Sequence, residues 1–255
     1  MFESESTNGC ELPLVIPFYN PGPRFGSHIA EIIEVLSDED ISYEIIAVSD
    51  GSTDGSENQL NIITANELTV IRSPTNQGKG EAIRIGLSNG SGRYLGFIDA
   101  DGDLPAKLLR AFIGVMKNEN PDIIYGSKRH PESDVYYPPV RRLYSWGYQQ
   151  LNRLLFGLPV KDSQTGVKII RKDVLAEVLP RMVEKRFAFD LELFVVARHC
   201  GFTYFVEMPV TIIERFTSTV SLRSVQQMLQ DTLAIFYRLK IQRFYGKRIK
   251  KSNSK

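Results

Sequence analysis

The first half of this 255-residue chain alternates short, continuously apolar segments with longer amphipathic ones. A strand that is apolar along its whole length is buried on both faces, and such strands occur mainly in parallel sheets covered by helices. The pattern therefore predicts an α/β fold with a doubly wound, mainly parallel sheet and helices on both faces. The predicted strands are 12–18, 43–49, 68–72, 93–98 and 122–125, and helices are predicted near 25–37, 55–66, 78–90 and 105–118.

The second half has a different pattern but no break in composition, so one domain is predicted. Its last segment predicts a C-terminal amphipathic helix from about Ser221, because apolar residues recur at spacings of three and four. That apolar stripe consists of Leu222, Val225, Leu229, Leu233 and Phe236. Helices are also predicted at 141–156, 172–182 and 189–200, and a strand pair or bent strand at 202–214. The predicted organisation is a flexible N-terminus 1–10, a domain 11–240 with halves 11–126 and 127–220 and a terminal helix 221–240, and a basic tail 241–255.

Composition and charge limit the classes of protein that fit. Hydrophobic residues make up 42% and charged residues 24%, as in ordinary globular proteins. The apolar runs fall short of the roughly 20 residues that span a bilayer, and the polar, acidic start is unlike a signal peptide. The last 18 residues carry eight Lys or Arg and no acid, which leaves −7 for the rest of a chain whose total is +1. We expect a cytosolic protein whose basic end meets phosphate groups or remains solvated.

Polar loops follow four of the predicted strands at their carboxyl ends. In open α/β sheets, ligands bind outside these ends, so the loops are the predicted site. Their sequences are Pro17-Phe18-Tyr19-Asn20-Pro21, Ser49-Asp50-Gly51-Ser52-Thr53-Asp54, Asn76-Gln77-Gly78-Lys79-Gly80 and Asp99-Ala100-Asp101-Gly102-Asp103.

The Asp99–Asp103 loop holds the strongest chemical signal. Three carboxylates within five residues repel one another unless a cation lies among them, and oxygen ligands suit Mg²⁺ or Mn²⁺. The alternative is a simple turn in which Asp103 caps the next helix. The position of the loop after the fourth strand favours the metal site.

Two further loops suggest contacts with a nucleotide. Asp50 directly follows an apolar strand, which a helix cap at 52–54 does not explain, and its carboxylate suits a base or ribose. Asn76–Gly80 offers backbone amides, a helix start and a cation, which together form an anion site. Neither a Walker loop nor G-x-G-x-x-G is present, which argues against an ATPase and a dinucleotide oxidoreductase.

A cluster of basic residues follows the fifth predicted strand. Lys128, Arg129 and His130 come directly after it, and Arg141 and Arg142 follow Pro138-Pro139. Each residue taken alone is typical of a solvated surface. Together near one cleft they are suited to bind phosphate oxygens.

Taken together, the loops resemble motifs of the inverting glycosyltransferases of family two, which have the GT-A fold. The resemblance covers residues 11 to about 240. Residues 17–20 resemble the family's opening motif, 50–52 its Asp-Gly-Ser, 76–82 its Asn-x-Gly-Lys-Gly-x-Ala and 99–101 its Asp-x-Asp. The resemblance implies that the nucleotide sugar is bound by Pro17, Tyr19, Asn20, Asp50, Gly51, Ser52, Gly78, Lys79, Asp99 and Ala100.

Segments 126–128, 162–168 and 187–193 resemble a narrower group, the dolichyl-phosphate glucosyltransferases and their bacterial polyprenyl-phosphate relatives. This implies transfer from a nucleotide sugar, with UDP-glucose first and UDP-N-acetylhexosamine or GDP-mannose as alternatives, to a polyprenyl phosphate with inversion. The resemblance further implies that Asp101 and Asp103 hold Mg²⁺ or Mn²⁺, with Asp99 nearer the ribose or base. The implied catalytic residues are Asp101, Lys128, Arg129, Arg141, Asp190 and Glu192.

Two departures from the family pattern concern the acceptor. Lys128 stands where the family usually has arginine, so this phosphate contact is expected to be monodentate. Many relatives carry transmembrane helices, which this sequence does not show. We therefore expect peripheral attachment to the cytoplasmic face of an anionic membrane, through the body, the terminal helix or a small membrane protein, and no nucleic-acid partner.

Other functions remain open at this point. A soluble acceptor would require a protein base, for which Asp190 and Glu192 are candidates. A catalytically dead, membrane-associated binding module is disfavoured by the intact acidic loop. A nucleotidyltransferase is disfavoured because no glycine-rich Arg-Lys phosphate loop lies near the N-terminus.

Overall fold

The computed structural model describes residues 10–61, 63, 66–135, 139–212 and 222–246, and only the backbone of 139–141 and 222–224. The strands are β1 Leu12–Phe18, β2 Tyr43–Ser49, β3 Leu68–Arg72, β4 Tyr94–Ile98, β5 Ile123–Ser127, β6 Val167–Arg171 and β7 Phe205–Pro209. The α-helices are α1 Phe25–Ser37, α2 Glu57–Leu60, α3 Lys79–Asn89, α4 Leu108–Glu119, α5 Pro139–Phe156, α6 Lys172–Val178, α7 Phe189–His199 and α8 Leu222–Phe236. Short 3₁₀ turns at Leu179–Arg181 and Phe244–Gly246 and a π turn at Tyr237–Ile241 complete the described elements.

The strands form a seven-stranded sheet in the order β3-β2-β1-β4-β6-β5-β7. β1 to β4 pair in parallel, β5 pairs in parallel with β7, and β6 is antiparallel to both β4 and β5. Six strands therefore run one way and β6 runs against them. The prediction of a mainly parallel sheet is confirmed.

Both faces of the sheet are covered by helices. Val15 of β1 points into an apolar cluster that includes residues of α3, α6 and α7. Its neighbours Leu14 and Ile16 point into a second cluster with residues of α1 and α4. All seven residues of β1 are buried, as the continuous apolar run predicts for a strand between two helical layers.

Apart from shifts of up to four residues at the ends of elements, the structure differs from the sequence predictions at three places. α2 spans only Glu57–Leu60 of the predicted 55–66, of which 62, 64 and 65 lie outside the described residues. The 202–214 region forms β7 and an isolated bridge between Asp134 and Thr211, and 213–214 lie outside the described residues. β6 was not predicted, because this five-residue strand runs directly into α6 at Lys172 and no turn residue separates the two patterns.

Register places the predicted site loops side by side. Phe18 at the end of β1 pairs with Ser49 at the end of β2, and Ser49 pairs with Arg72 at the end of β3. Because β4 also runs parallel to β1, the loops that follow these four strands emerge at one edge of the sheet.

The ends of the chain fall only partly within the described residues. Residues 1–9 and 247–255, and thus most of the predicted N-terminal segment and of the basic tail, lie outside the described part. Cys10 forms an isolated bridge with Gly92, so the folded part begins no later than this residue. No helix of the described residues is long and apolar enough to cross a membrane.

Candidate active site

A cavity of about 590 Å³ opens where β1, β2 and β4 end. We call it the donor cavity, since it collects most residues expected to bind the nucleotide sugar. It is lined by Pro17, Phe18, Tyr19, Asn20, Pro21, Asp50, Asn76, Gly78, Lys79, Ala82, Asp99, Ala100, Asp101, Arg186 and Phe187. Gly51 and Ser52 of the expected set do not line it, and Arg186 and Phe187 were not expected there.

Asn20, Gly51 and Ser52 hold the first two loops together. Asn20 has a positive φ of 47°, and its Oδ1 accepts a hydrogen bond from the Thr53 amide at 2.7 Å. Its own amide donates to Ser52 Oγ at 3.2 Å. Gly51 has a φ of 75°, and a Cβ there would lie 2.8 Å from the backbone of Thr75. The small residues of this motif therefore allow the loops to approach closely.

Asp50 is 3% exposed and fixes the loop that begins α3. One carboxylate oxygen accepts the Gln77 amide at 2.7 Å, and the other accepts the Gly78 amide at 2.8 Å. Gly78 has a φ of 108°, and a Cβ there would lie 2.5 Å from the Lys185 carbonyl oxygen. Asp50 thus shapes the floor of the donor cavity as well as lining it.

Lys79 is the cation of the donor cavity. Its Nζ lies 2.5 Å from Asp99 Oδ1, and each side chain is about one quarter exposed. Burial acts to lower the pKa of Lys79, but the carboxylates of Asp99, Asp190 and Asp101 outweigh it, and the net shift is upward. Lys79 therefore keeps its charge, which balances part of the negative charge of the acidic loop.

The acidic loop presents one carboxylate to solvent and holds another in place. Asp99 pairs with Lys79, whereas Asp101 is exposed and its Oδ1 accepts the Asp103 amide at 3.1 Å. Gly102 between them has a φ of 75°, which turns the chain sharply. The described residues include no cluster of three or more His, Cys, Asp or Glu arranged for a metal.

The donor set of this loop nevertheless fits Mg²⁺ or Mn²⁺. Mg²⁺ is commonly held by one or two carboxylates, with water and substrate phosphates completing its coordination. Asp101 lines the donor cavity and offers such a carboxylate, whereas Asp103, two residues on, is half-buried and does not line it. A metal bound here would depend on the phosphate oxygens of the nucleotide sugar for its remaining ligands.

Gly166 sets the position of Asp99, a role that its place in the 162–168 segment did not predict. The Asp99 amide donates to the Gly166 carbonyl at 2.8 Å. A Cβ on Gly166 would lie 1.8 Å from Asp99 Oδ2, so no other residue fits without moving this carboxylate.

Gly166→Ala should therefore lower kcat/KM for the expected sugar transfer about 100-fold. A shift of roughly 1 Å in a site can cause a loss of this size. Gly114→Ala is the matched control, because a Cβ at Gly114 meets nothing within 4 Å. Steady-state kinetics and melting curves of both variants measure the effect. Unchanged kinetics of Gly166→Ala would show that Asp99 tolerates displacement.

A second cavity, of about 680 Å³, collects the basic residues and is called the basic cavity here. Lys128, Arg129, His130 and Arg142 contribute cations or a titratable ring to its wall. The Arg129 guanidinium donates to Ser145 Oγ and Gln149 Oε1 of α5, which fixes its direction. The side chain of Arg141 lies outside the described residues.

One loop forms the link between the two cavities. Asp162 Oδ2 accepts the Lys128 amide at 3.0 Å and the Thr165 hydroxyl at 2.6 Å. The same loop continues to Gly166, which touches Asp99. The 162–166 segment therefore contacts Lys128 of the basic cavity at one end and Asp99 of the donor cavity at the other.

Asp190 does not line either cavity and is 2% exposed. It accepts a hydrogen bond from Lys168 Nζ at 2.6 Å, in an ion pair buried on both sides. Lys168 also donates to the Thr165 carbonyl at 2.8 Å and lies over the rings of Phe97 and Phe194. Through Lys168 the pair contacts the Thr165 carbonyl of the 162–166 segment. No role was predicted for Lys168, because lysine side chains are usually exposed.

Glu192 lies outside both cavities and is fully buried. One carboxylate oxygen accepts the amides of Val183 and Glu184, both at 2.8 Å. The other accepts Arg238 Nη1 at 2.8 Å and the Tyr245 hydroxyl at 2.6 Å. Burial raises the pKa of Glu192, while these four donors act to lower it. Glu192 therefore joins the loop at residues 183–184 to the C-terminal segment.

The same contacts correct the interpretation of the last 18 residues, the basic end that was expected to meet phosphate groups. Arg238 and Tyr245 were expected among its surface residues, yet Arg238 also pairs with Glu184, and Tyr245 is 1% exposed. Both belong to the folded body, because burying the tyrosine ring and pairing the guanidinium stabilises this segment against α7. Lys240 and Arg243 of this end are exposed, so they remain candidates for contact with phosphate groups.

Comparison with known proteins places the chain in a family. The family model described as Glycosyl transferase family 2 matches residues 14–179, and the chain belongs to this family. It is therefore a glycosyltransferase with the GT-A fold, as its motifs predict.

Among individual proteins, the chain is 28% identical over 242 residues to a dolichyl-phosphate beta-glucosyltransferase of Trichomonas vaginalis, covering 89% of this chain and 74% of the relative. It is 25% identical over 248 residues to that of Dictyostelium discoideum, with the same coverage. Glucosyl-3-phosphoglycerate synthase from Mycobacterium tuberculosis, solved with UDP, superposes with a TM-score of 0.68 at 18% identity, covering 93% of this chain and 81% of that one. Mannosyl-3-phosphoglycerate synthase from Rubrobacter xylanophilus gives a TM-score of 0.71 at 18% identity, covering 96% and 79%.

Proposed function

We propose that this glycosyltransferase moves glucose from UDP-glucose to a polyprenyl phosphate with inversion of the anomeric carbon. The observation that carries the proposal is the pair of cavities joined by residues 162–166. One cavity has carboxylates suited to a metal-bound diphosphate, and the other has cations suited to an acceptor phosphate. The names of the Trichomonas and Dictyostelium relatives support glucose and a lipid phosphate.

The residues of the donor cavity hold the leaving diphosphate. Asp101 and Asp103 would bind Mg²⁺ or Mn²⁺, which neutralises charge on the diphosphate as it departs. Lys79 balances the charge of Asp99, and the Gly78 loop, fixed by Asp50, places backbone amides at the start of α3. Binding and charge stabilisation, with little movement of protein groups, then account for most of the rate.

The acceptor phosphate is already an anion near neutral pH and needs no protein base. Lys128, Arg129 and Arg142 would orient it, while Asp190 is engaged by Lys168 and Glu192 by four donors. Among the described residues that line the basic cavity there is no Asp or Glu. This favours a phosphate acceptor over a sugar hydroxyl, which would require a base. Attack opposite the diphosphate gives a β-linked lipid-phosphate sugar from an α-linked donor.

A matrix of donors and acceptors tests this proposal. UDP-glucose, UDP-N-acetylglucosamine and GDP-mannose are each supplied with Mg²⁺ or Mn²⁺ to a prenyl phosphate and to soluble sugars. We expect transfer to the prenyl phosphate, with the highest kcat/KM for UDP-glucose, and no product on soluble sugars. Preference for a soluble sugar would refute the lipid acceptor, and preference for another donor would refute glucose.

Two helices present an apolar surface suited to peripheral attachment at the cytoplasmic face of a membrane. α8 and the turn after it expose large apolar side chains at every fourth position, and α5 exposes several more. These residues are Leu229, Leu233, Tyr237 and Ile241, with Leu143, Tyr144 and Trp146 on α5. Aromatic and aliphatic side chains beside cations are typical of helices that lie in a bilayer interface.

Removal of residues 247–255 should weaken binding to anionic vesicles and leave the fold intact. The segment carries five Lys or Arg, each contributing roughly 1 kcal/mol near an anionic surface before screening, so we expect at least about tenfold weaker partitioning at low salt. Vesicle sedimentation at low and high salt measures the effect, since screening should reduce the difference. Equal binding of both proteins would assign attachment to the helices or to a partner protein.

A further inference from the structure

A third cavity, of about 550 Å³, lies between α5 and α8 and adjoins the basic cavity. We call it the α5–α8 groove. It shares Lys128, Leu143, Ser145 and Trp146 with the basic cavity, so these residues form a common wall. The two cavities therefore lie side by side, close enough for one extended ligand to occupy both.

The groove is apolar over most of its length. α5 supplies aromatic and aliphatic side chains, α8 supplies the facing wall, and the segment after α5 closes one side. The Tyr148 hydroxyl and Thr232 Oγ1 lie 3.1 Å apart and join the two helices. The apolar members are Leu143, Trp146, Leu151, Leu158, Val160, Leu191, Val225, Met228 and Leu229.

A cation lies where the groove meets the basic cavity. Lys128 lines both cavities, and Asp162 Oδ2 accepts its backbone amide at 3.0 Å. A lysine ammonium at this junction is suited to a phosphate oxygen.

We propose that the α5–α8 groove holds the first isoprene units of the acceptor, with its phosphate at Lys128. This rests on the proposed function and adds the site of the hydrocarbon chain. A ligand with an anionic head and a long apolar tail matches a cavity that is cationic at one end and apolar beyond it. The groove volume is that of a pocket for a drug-sized molecule, so it takes only the start of a long chain.

The rest of the chain would leave the groove along the exposed faces of its two helices. Leu229 lines the groove and is 40% exposed, and Leu233 lies one turn further along α8 at 55% exposed. Trp146 of α5 is 54% exposed on the common wall. The groove therefore opens onto the same apolar surface that would meet the bilayer.

Gly147→Leu tests the assignment by filling the groove. Gly147 lines it on α5, and a Cβ there meets nothing within 4 Å, so the new side chain enters open space. Leucine also favours a helix more than glycine does, which argues against unfolding. Gly114→Leu is the matched control, since this glycine of α4 is equally open and lines none of the three cavities.

The measurement is KM for soluble prenyl phosphates of one to four isoprene units, at saturating UDP-glucose and without membrane. For the unmodified protein we expect KM to fall as the chain lengthens. Gly147→Leu should raise KM for the four-unit acceptor about tenfold, as if roughly two methylene groups lost their apolar site, and should raise the one-unit KM much less. Gly114→Leu should leave both values unchanged.

The outcomes separate this assignment from the proposed function. Transfer with a KM that is independent of chain length, or equal effects of the two leucine variants, would overturn the groove and leave the reaction standing. Failure of the unmodified protein to glycosylate any prenyl phosphate would instead refute the proposed function itself, and the groove assignment with it.

Discussion

Asp101→Ala should lower kcat/KM for sugar transfer by about 10³-fold while leaving the fold intact. Losing one group that stabilises developing charge commonly removes about 3–4 kcal/mol from the transition state. Asp101 is exposed, and its Oδ1 accepts one backbone amide in the acidic loop, so its removal costs the folded protein little. Loss of one of three neighbouring carboxylates also reduces their mutual repulsion.

The control for this variant is Asp40→Ala, which removes an exposed carboxylate before β2, away from the donor cavity. Kinetics with a series of Mg²⁺ and Mn²⁺ concentrations, and melting curves, compare the two variants. The interpretation of the loop as a simple capping turn predicts the opposite pattern, with full activity of Asp101→Ala, including in EDTA.

Arg238→Ala should destabilise the protein by about 3 kcal/mol. Removing one partner of a buried ion pair leaves an uncompensated charge, which typically costs 3–5 kcal/mol, and the 17% exposure of Arg238 places the loss at the lower end. The variant leaves Glu192 fully buried and Glu184 13% exposed without their guanidinium partner. For a chain of this size we expect a melting temperature about 6–12 °C lower.

The Arg238→Ala substitution should also affect the donor cavity. Glu192 binds the amides of Val183 and Glu184, and this loop continues to Arg186 and Phe187, which line the cavity. We therefore expect a higher KM for the nucleotide sugar in Arg238→Ala. Lys240→Ala, an exposed cation two residues away, should change stability by less than about 0.5 kcal/mol. Equal melting temperatures of the two variants would contradict a buried anchor at Arg238.

Much of the fold could be predicted because its central strands are buried on both sides. β1, β2 and β3 begin and end at the predicted residues. β1 is buried throughout and β2 over its last five residues, whereas the edge strand β3 is only partly buried and is marked by its β-branched residues. β6 could not be predicted, because it is short, joins α6 without a turn and pairs antiparallel with strands distant in sequence. Such pairing depends on tertiary structure that local pattern does not contain.

The candidate site shows the same division. The loops of the donor cavity follow predicted strands, so the position of Asp50, Lys79 and Asp101 at one sheet edge followed from topology. The burial of Glu192 and its pairing with Arg238 could not be predicted, because the two residues are 46 positions apart. A charged residue in a helix is also usually exposed to solvent. The partner of a buried charged side chain depends on tertiary structure, which the local sequence pattern does not contain.

The apolar stripe of α8 was also only partly predictable. The periodicity identified an amphipathic helix, but Ile235 and Thr232 are fully buried, whereas Leu229 and Leu233 of the predicted stripe are exposed. The periodic pattern carries two apolar faces, and only packing against α5 and α7 decides which one is covered.

The proposed sugar transfer is tested most directly by one reaction containing the protein, UDP-glucose, a prenyl phosphate and Mn²⁺, with the lipid fraction analysed by mass spectrometry and NMR. We expect a prenyl phosphate heavier by one hexose, with a β anomeric linkage, that is not formed when EDTA is present. An unmodified lipid, with glucose released to water or transferred to a soluble sugar, would contradict it.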